Sequence, residues 1–582
     1  MTLTGIIAVG AMAVVAVLSA VLGRLSARNR STSDFLVASR TVRPAANAAA
    51  VSGEYLSAAS FLGVAGLILR DGVDALWYPI GFATGYLSLV LFVAAPLRRS
   101  GAYTVPDFAE GRLHSTALRR VCVCIVVLIG WLYLLPQLQG AGLTLTIVTG
   151  LPAWYGEAAA AVVVVGTVLF GGMRSITFVQ ALQYWLKFTA LAVPVLIALV
   201  LVFPGADALG RPAPPTFPRD TVVHIDTDVT LQVAAPVTIT ASGRVDGTRA
   251  SRAVLNWAPG PHTAGAGSDL SFPAGASVPI VAGAPLHNDD WLTPFQSGRP
   301  DALLATYSLL LATFLGTMGL PHVLGRFYTS ADGRAARRTA VGVLALIGAF
   351  YAMVTVLGLL ARLYTPQLLV TGATDAAVLV LPAAVLGSSV LGVVVAAVVA
   401  AGAWTAFLST SSGLVVSISG VIATDVLGSG RTRDFRLATV IAGVVPLLLA
   451  LGVNRLDFGE AVALVFAVAA STFCPLLVLG IWWRGLTAPG AVAGILVGGV
   501  LSTGPVCATV VGVSMPGLAG VLLHRPAIVS VPAAFLVMIV ISLFTAGSRP
   551  DDAEQVVLRL HAPERLGLTK DRLADRLRGP AG

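Results

Sequence analysis

The feature that most constrains this chain is a succession of apolar runs, each roughly as long as the ~20 residues that a helix needs to cross the ~30 Å hydrocarbon layer of a bilayer. Inside lipid every backbone polar group must be paired within the protein, so such runs are read as transmembrane helices. Thirteen spans can be marked, at 4–23, 45–69, 74–96, 118–148, 155–173, 176–203, 302–325, 339–362, 386–424, 437–453, 458–482, 488–511 and 527–546. Only 11% of the residues are charged, against about 25% in an ordinary soluble domain. The reading is therefore an all-α polytopic membrane protein. The first run, Gly5 to Gly23, has no basic leader and no clean cleavage site, which favours a retained span over a signal peptide.

A net charge of +9 is a possible sign of nucleic acid binding, but the arginines sit in short loops between spans. The loops after spans 1, 3, 7 and 9, with the first residues of the span that follows, hold seventeen arginines, and short loops after even-numbered spans hold four: Arg70, Arg362, Arg455 and Arg525. Positive charge stays on the cytoplasmic side. This predicts an outer N-terminus and a cytoplasmic C-terminus in a bacterial-type cell membrane, with no nucleic acid partner and the bilayer as surroundings. The expected divisions are an N-terminal membrane part at 1–203, an extracytoplasmic insertion at 204–300, a second membrane part at 301–546, and a cytoplasmic tail at 547–582. Within the insertion, "TVVHIDTDVTLQVAAPVTITAS" alternates apolar and polar residues, as half-buried strands do, so a small β-rich unit is expected there. Cys122, Cys124, Cys474 and Cys507 lie in or beside apolar segments and read as small hydrophobes. No paired His/Asp cluster or partnered nucleophile lies near one membrane face, so the chain reads as no enzyme.

Span 2 is anomalous. "AAVSGEYLSAASFLGVAGLIL" places Ser52, Gly53, Glu54, Tyr55, Ser57 and Ser60 within nine positions. Small residues of this kind permit close helix packing, but they also fit a helix broken near Gly53, whose free carbonyls would form a site at mid-membrane. In span 9, "AGAWTAFLSTSSGLVVSISG" sets Ala406, Ser409 and Thr410 at i, i+3 and i+4, on one helix face. A carbonyl and two hydroxyls are uncharged hard ligands that suit a weakly held monovalent cation. The alternative is that the hydroxyls only bond back to their own helix.

With these residues in view, "SGEYLSAASFLG", "LFGGMRSITFVQ" (Leu169–Gln180), "GTMGLPHVLGRFY" (Gly316–Tyr328) and "FAVAASTFCPLLVLGIWWRGLTAPGAVAG" (Phe466–Gly494) resemble the sodium/solute symporter family, and within it the cation/acetate (monocarboxylate) branch. The resemblance implies a LeuT-like core of two inverted five-helix repeats, spans 2–6 and 7–11. It also implies symport of a small organic anion such as acetate, propionate or pyruvate with Na+, proton coupling or another small solute such as an amino acid being the alternatives. Carried onto matching positions, the family's sodium ligands are Gly53 and Leu56, then Ala406, Ser409 and Thr410. Small, aromatic and hydroxylic walls for the substrate are expected from Tyr55, Ser57, Ser60, Trp131 and Gln137, and from Phe314 and Thr317 at a break in span 7. Glu54 is a candidate proton carrier or second cation ligand, since burying its charge costs at least ~2.5–3.5 kcal/mol. His322 is expected to make a structural hydrogen bond, and Gln180 and Arg326 to tie cytoplasmic helix ends together. The residues leave the oligomeric state open.

Overall fold

The computed structural model describes residues 3–26, 43–171, 173–201, 213–295, 301–327, 333–427, 432–453, 457–513, 515–563 and 566. Among them, twelve helices are long and apolar enough to cross a membrane. The expected spans sit on helices α1 (Leu3–Ser26), α2 (Pro44–Tyr55), α3 (Val64–Asp71), α4 (Trp77–Phe92), α5 (Thr116–Thr149), α6 (Ala153–Phe170) and α7 (Met173–Leu201) in the first half. In the second half they sit on α9 (Ala302–Gly319), α10 (Pro321–Phe327), α11 (Gly333–Tyr364), α13 (Val390–Val421), α14 (Thr432–Gly452), α15 (Phe458–Trp482), α16 (Ala488–Val510) and α17 (Ala527–Phe544), with the short α12 (Ala377–Leu386) between α11 and α13. One expected span is absent as a continuous rod. Residues 45–69 are split into α2 and α3, each too short to cross alone. Span 7 is divided as well, into α9 and α10. Leu320 between them is extended (φ −76°, ψ 113°), as a residue before proline tends to be. That break falls at Leu320, beyond Phe314 and Thr317 rather than at them.

Several of the loop arginines that set the predicted orientation are not free charges. Arg112, Arg326 and Arg362 are 1% exposed. Arg119 pairs with Glu110 (2.6 Å) and with Asp425. Several others, such as Arg28 and Arg431, lie outside the described residues.

The insertion folds as expected into antiparallel strands: β1 (Thr221–Ile225), β2 (Val229–Val233), β3 (Val237–Val245), β4 (Thr248–Trp257), β5 (Gly260–Ala264), β6 (Ser268–Phe272) and β7 (Ile280–Val281). They run in the order β1-β6-β3-β5-β2-β7, with β4 beside β3. The alternation in the sequence becomes a buried row of Val223, Ile225, Leu231, Val233, Ile239, Leu270 and Phe272. This row shares one apolar cluster with Leu69, Ala361 and Leu369 of the membrane part. The small helix α8 (Asn288–Leu292) completes the junction. Its Trp291 is fully buried and donates Nε1–H to the Ile68 carbonyl at 2.8 Å. The guanidinium of Arg362 lies 5.2 Å from the Trp291 ring centre.

Candidate functional site

The break in span 2 can be accounted for bond by bond. Leu56 leaves the helical region (φ −79°, ψ 90°), which frees the last carbonyls of α2. Ser409 Oγ lies 2.6 Å from the Gly53 carbonyl, and Thr410 Oγ1 donates to the Glu54 carbonyl at 2.7 Å. On the far side of the gap, the Ala58 N–H donates to Gln137 Oε1 at 2.9 Å. The chain then resumes through a π-helical turn, Ala59–Gly63, and α3. Such buried main-chain groups require partners, and here side chains from α5 and α13 provide them.

The remaining partner is a cation from the protein itself. Lys187 on α7 is fully buried. Its Nζ donates to the Gly53 carbonyl (2.5 Å), the Leu56 carbonyl (2.7 Å) and Ser409 Oγ (2.9 Å). An ammonium has three N–H donors, and all three are used. Of the five expected sodium ligands, Gly53, Leu56 and Ser409 thus converge, but on an amine. Ala406 lies 3.1 Å away through its carbonyl from the Ser409 hydroxyl, and Thr410 braces Glu54 instead. While Lys187 stands there, three oxygens that a sodium ion would need are occupied.

A second buried charge pair adjoins the first. Glu54, 2% exposed, accepts Arg326 Nε–H at 2.5 Å. Arg326 also donates to Thr177 Oγ1 at 2.9 Å and to Gln180 Oε1. Gln180 Nε2 then donates to the Ser409 carbonyl at 2.6 Å. Gln180 and Arg326 do tie helices together, but within the core around Glu54 rather than at loop ends. A cleft lined by Tyr103, Val126, His322 and Gly413 reaches Glu54. His322 does not make the expected hydrogen bond. Neither ring nitrogen has a hydrogen-bond partner among the described residues, and the ring sits edge-on to Tyr133 at 5.2 Å between centres.

The substrate residues are only partly brought together. The Tyr55 hydroxyl meets Thr317 Oγ1 (3.0 Å) and the Phe82 carbonyl (3.1 Å), and Ser60 Oγ meets the Tyr351 hydroxyl (2.9 Å). Ser57 faces Tyr133, while Gln137 is committed to the break. The rings around Tyr55 are those of Phe82, Tyr86 and Phe466, at 6.3, 5.7 and 6.5 Å between centres. Trp131 and Phe314 are half-buried and make none of these ring contacts. Phe82 and Tyr86 were missed in the sequence, although their i, i+4 spacing puts them on one face of α4. On the other side of the break, Arg70 at the end of α3 pairs with Asp71 (2.9 Å), Glu460 (3.0 Å) and Asp457. This ties α3 to the start of α15.

A helix broken in mid-membrane, with its loose carbonyls gathered on a cation and an ion network across one end, defines a membrane carrier. The chain belongs to the sodium:solute symporter family, whose model matches residues 35–211 and 283–498. It is thus a multi-pass cell-membrane transporter of small solutes, in a family for which sodium is the coupling ion in general. The matched segments leave out all seven strands of the β-sheet. A symporter of Bacillus subtilis (strain 168) described as uncharacterized, YwcA, is 30% identical over 88% of this chain and 88% of its own length. A monocarboxylic acid transporter of Corynebacterium glutamicum is 28% identical over 95% of this chain and 93% of its own length. Among solved structures, a substrate-bound Na+-coupled sialic acid symporter matches with TM-score 0.60 at 14% identity, covering 94% of this chain and 98% of that one. The nucleobase-cation-symport transporter Mhp1 matches with TM-score 0.52 at 11% identity, covering 91% of this chain and 99% of that one. These likenesses carry the fold, a LeuT-like core of inverted five-helix repeats.

Proposed function

We propose that this chain carries a small monocarboxylate, such as acetate, propionate or pyruvate, into the cell by cation-coupled alternating access. The observation that carries the reading is the gathering of the Gly53 and Leu56 carbonyls and Ser409 on one cation site at the helix break. The relative from Corynebacterium supports the substrate class, as do the aromatic and hydroxylic walls set by Tyr55, Ser60, Thr317 and Tyr351. The Arg70 network would close the outer side while the cleft at Glu54 serves the inner one. The orientation of the arginine-rich loops, with an outer N-terminus, supports this assignment of sides.

The sodium-coupled form of the reading, with Gly53, Leu56, Ala406, Ser409 and Thr410 as ligands, draws its support from the family. It requires Lys187 to withdraw before the ion enters. A specific observation, the amine in that place, favours proton coupling. The test of the carrier reading is counterflow of labelled pyruvate in proteoliposomes, with acetate, propionate, proline and glucose as competitors. Pyruvate is chosen because acetic acid leaks through lipid unaided. Competition by acetate and propionate but not by proline or glucose is expected, and competition by proline alone would replace the substrate class.

A further inference from the structure

We infer that His322 forms a second binding site for the solute's carboxylate, in the cleft beside Glu54, where the anion pauses on its way to the inner side. The inference rests on the carrier reading above and deepens it. His322 is 3% exposed, and neither of its ring nitrogens has a hydrogen-bond partner among the described residues. A buried polar group in that state costs free energy that an apolar side chain in its place would not. An imidazole carries at least one N–H in either charge state. The ring forms part of the cleft wall, so a partner for that N–H can arrive through the cleft.

The ring is held without the use of its nitrogens. Tyr133 of α5 sits edge-on to it at 5.2 Å between centres. His322 is the second residue of α10, which starts directly after the break at Leu320. Three residues on, and so on the same helix face, an added Cβ at Gly325 would meet nothing within 4 Å. There is room beside the ring. Gly413 and Ser417 of α13 also line the cleft. A Cβ at Gly413 would fall 2.0 Å from Glu54 Oε1, so the glycine leaves that carboxylate its place at the end of the cleft.

Charge and polarity select what the cleft accepts. Glu54 is the only carboxylate among the described residues on its wall, and its charge is spent on Arg326. An entering cation finds no free carboxylate there, and an entering anion meets a neutral pair. Val105, Val126 and Val416 make the lining largely apolar. A short aliphatic acid suits both parts. Its carboxylate accepts the His322 N–H in a charge-assisted bond, and its methyl end lies against the valines. A polyhydroxylated solute would leave its hydroxyls unpaired against them. One such bond draws the anion away from the walls at Tyr55 and is too little to retain it, as a multi-site pathway requires.

The experiment uses the full chain at fixed pH and fixed sodium. Counterflow of labelled pyruvate in proteoliposomes is measured first. Half-saturating pyruvate is then measured from each face, in right-side-out and inside-out membrane vesicles, for the unaltered protein, His322→Leu and His322→Gln. His322→Leu is expected to raise the inner-face value by about 10- to 150-fold, the weight of one hydrogen bond to a charged group, and to leave the outer-face value unchanged. His322→Gln keeps an N–H donor and is expected to recover most of the inner-face affinity. Purified His322→Leu should melt no lower than the unaltered protein, because no hydrogen bond within the protein is lost. Gly325→Leu, which fills the cleft and removes no polar atom, should impair the inner face likewise. An unchanged inner-face value, an equal change at both faces, a defect that His322→Gln does not relieve, or a melting temperature that falls with transport in both His322 variants would overturn this inference alone. Absence of counterflow with any of the monocarboxylates would overturn the carrier reading and this inference with it.

Discussion

Exchanging Glu54 for Gln should destabilise the protein more than exchanging its ion-pair partner Arg326 for Met. A simple count of broken contacts predicts the reverse, because Arg326 also holds Thr177 and Gln180. The difference lies in what each variant strands. Removing one partner of a buried pair costs about 3–5 kcal/mol. Arg326→Met leaves Glu54 facing Lys187, and at an effective dielectric of about 20 such an attraction over several ångströms returns ~2–3 kcal/mol. Glu54→Gln leaves Arg326 and Lys187 together with no carboxylate. Its cost is limited by the amine's alternative of giving up its proton. For an ordinary lysine, with pKa ~10.4, that escape costs about 4 kcal/mol at pH 7.4 and 1.36 kcal/mol less for each pH unit above. The deficit of Glu54→Gln should therefore shrink as pH rises from 7 to 9, and that of Arg326→Met should not. Thermal unfolding of the detergent-purified variants across this range, followed by tryptophan fluorescence, reads both effects. A lower melting point for Arg326→Met than for Glu54→Gln, or a Glu54→Gln deficit that ignores pH, would refute the three-charge description of the core.

Three further outcomes test other parts of the site. Ser409→Ala removes both an acceptor for Lys187 and the hydroxyl at the Gly53 carbonyl. It should cost ~1–3 kcal/mol and slow transport, whereas Ser419→Ala, which loses only a bond to its own helix at Val415, should leave transport unchanged in the same assay. Gly53→Ala would place a Cβ 2.5 Å from the Gln180 carbonyl oxygen. The resulting overpacking of α2 against α7, of order 1–3 kcal/mol, should lower both melting temperature and transport. Trp291→Ala should cost about 3–5 kcal/mol, seen as an earlier thermal transition and as faster proteolysis within 213–295.

Much of this architecture is legible in the residues because membrane helices need length and apolarity, and both are local properties. The disturbed helix at Ser52–Ser60 is legible too, since Gly, Ser and Glu so close together have no place against lipid. The break itself falls at Leu56 and Ser57, three residues past Gly53, and what it frees there is the Gly53 carbonyl, not the torsions of Gly53. The pairing of Glu54 with Arg326 was hidden. The two are 272 positions apart, and Arg326 follows an apolar run in the manner of a loop charge. Lys187 was hidden for a different reason. It and Lys570 are the only lysines in the chain, and a lone amine in a span is a functional candidate by default. Its partners, however, are main-chain carbonyls and a hydroxyl far away in sequence, which only the fold brings to it.

The sheet is fastened where the carrier has to move. Trp291 holds the Ile68 carbonyl, and at Gly72, with φ +66°, a Cβ would come within 1.8 Å of the Trp291 carbonyl oxygen. Any opening that swings α3 must either carry the whole sheet along as a handle or tear it loose at this indole and at the apolar cluster it shares with Leu69. A binder clamped on the sheet would then act as a brake on the transport cycle.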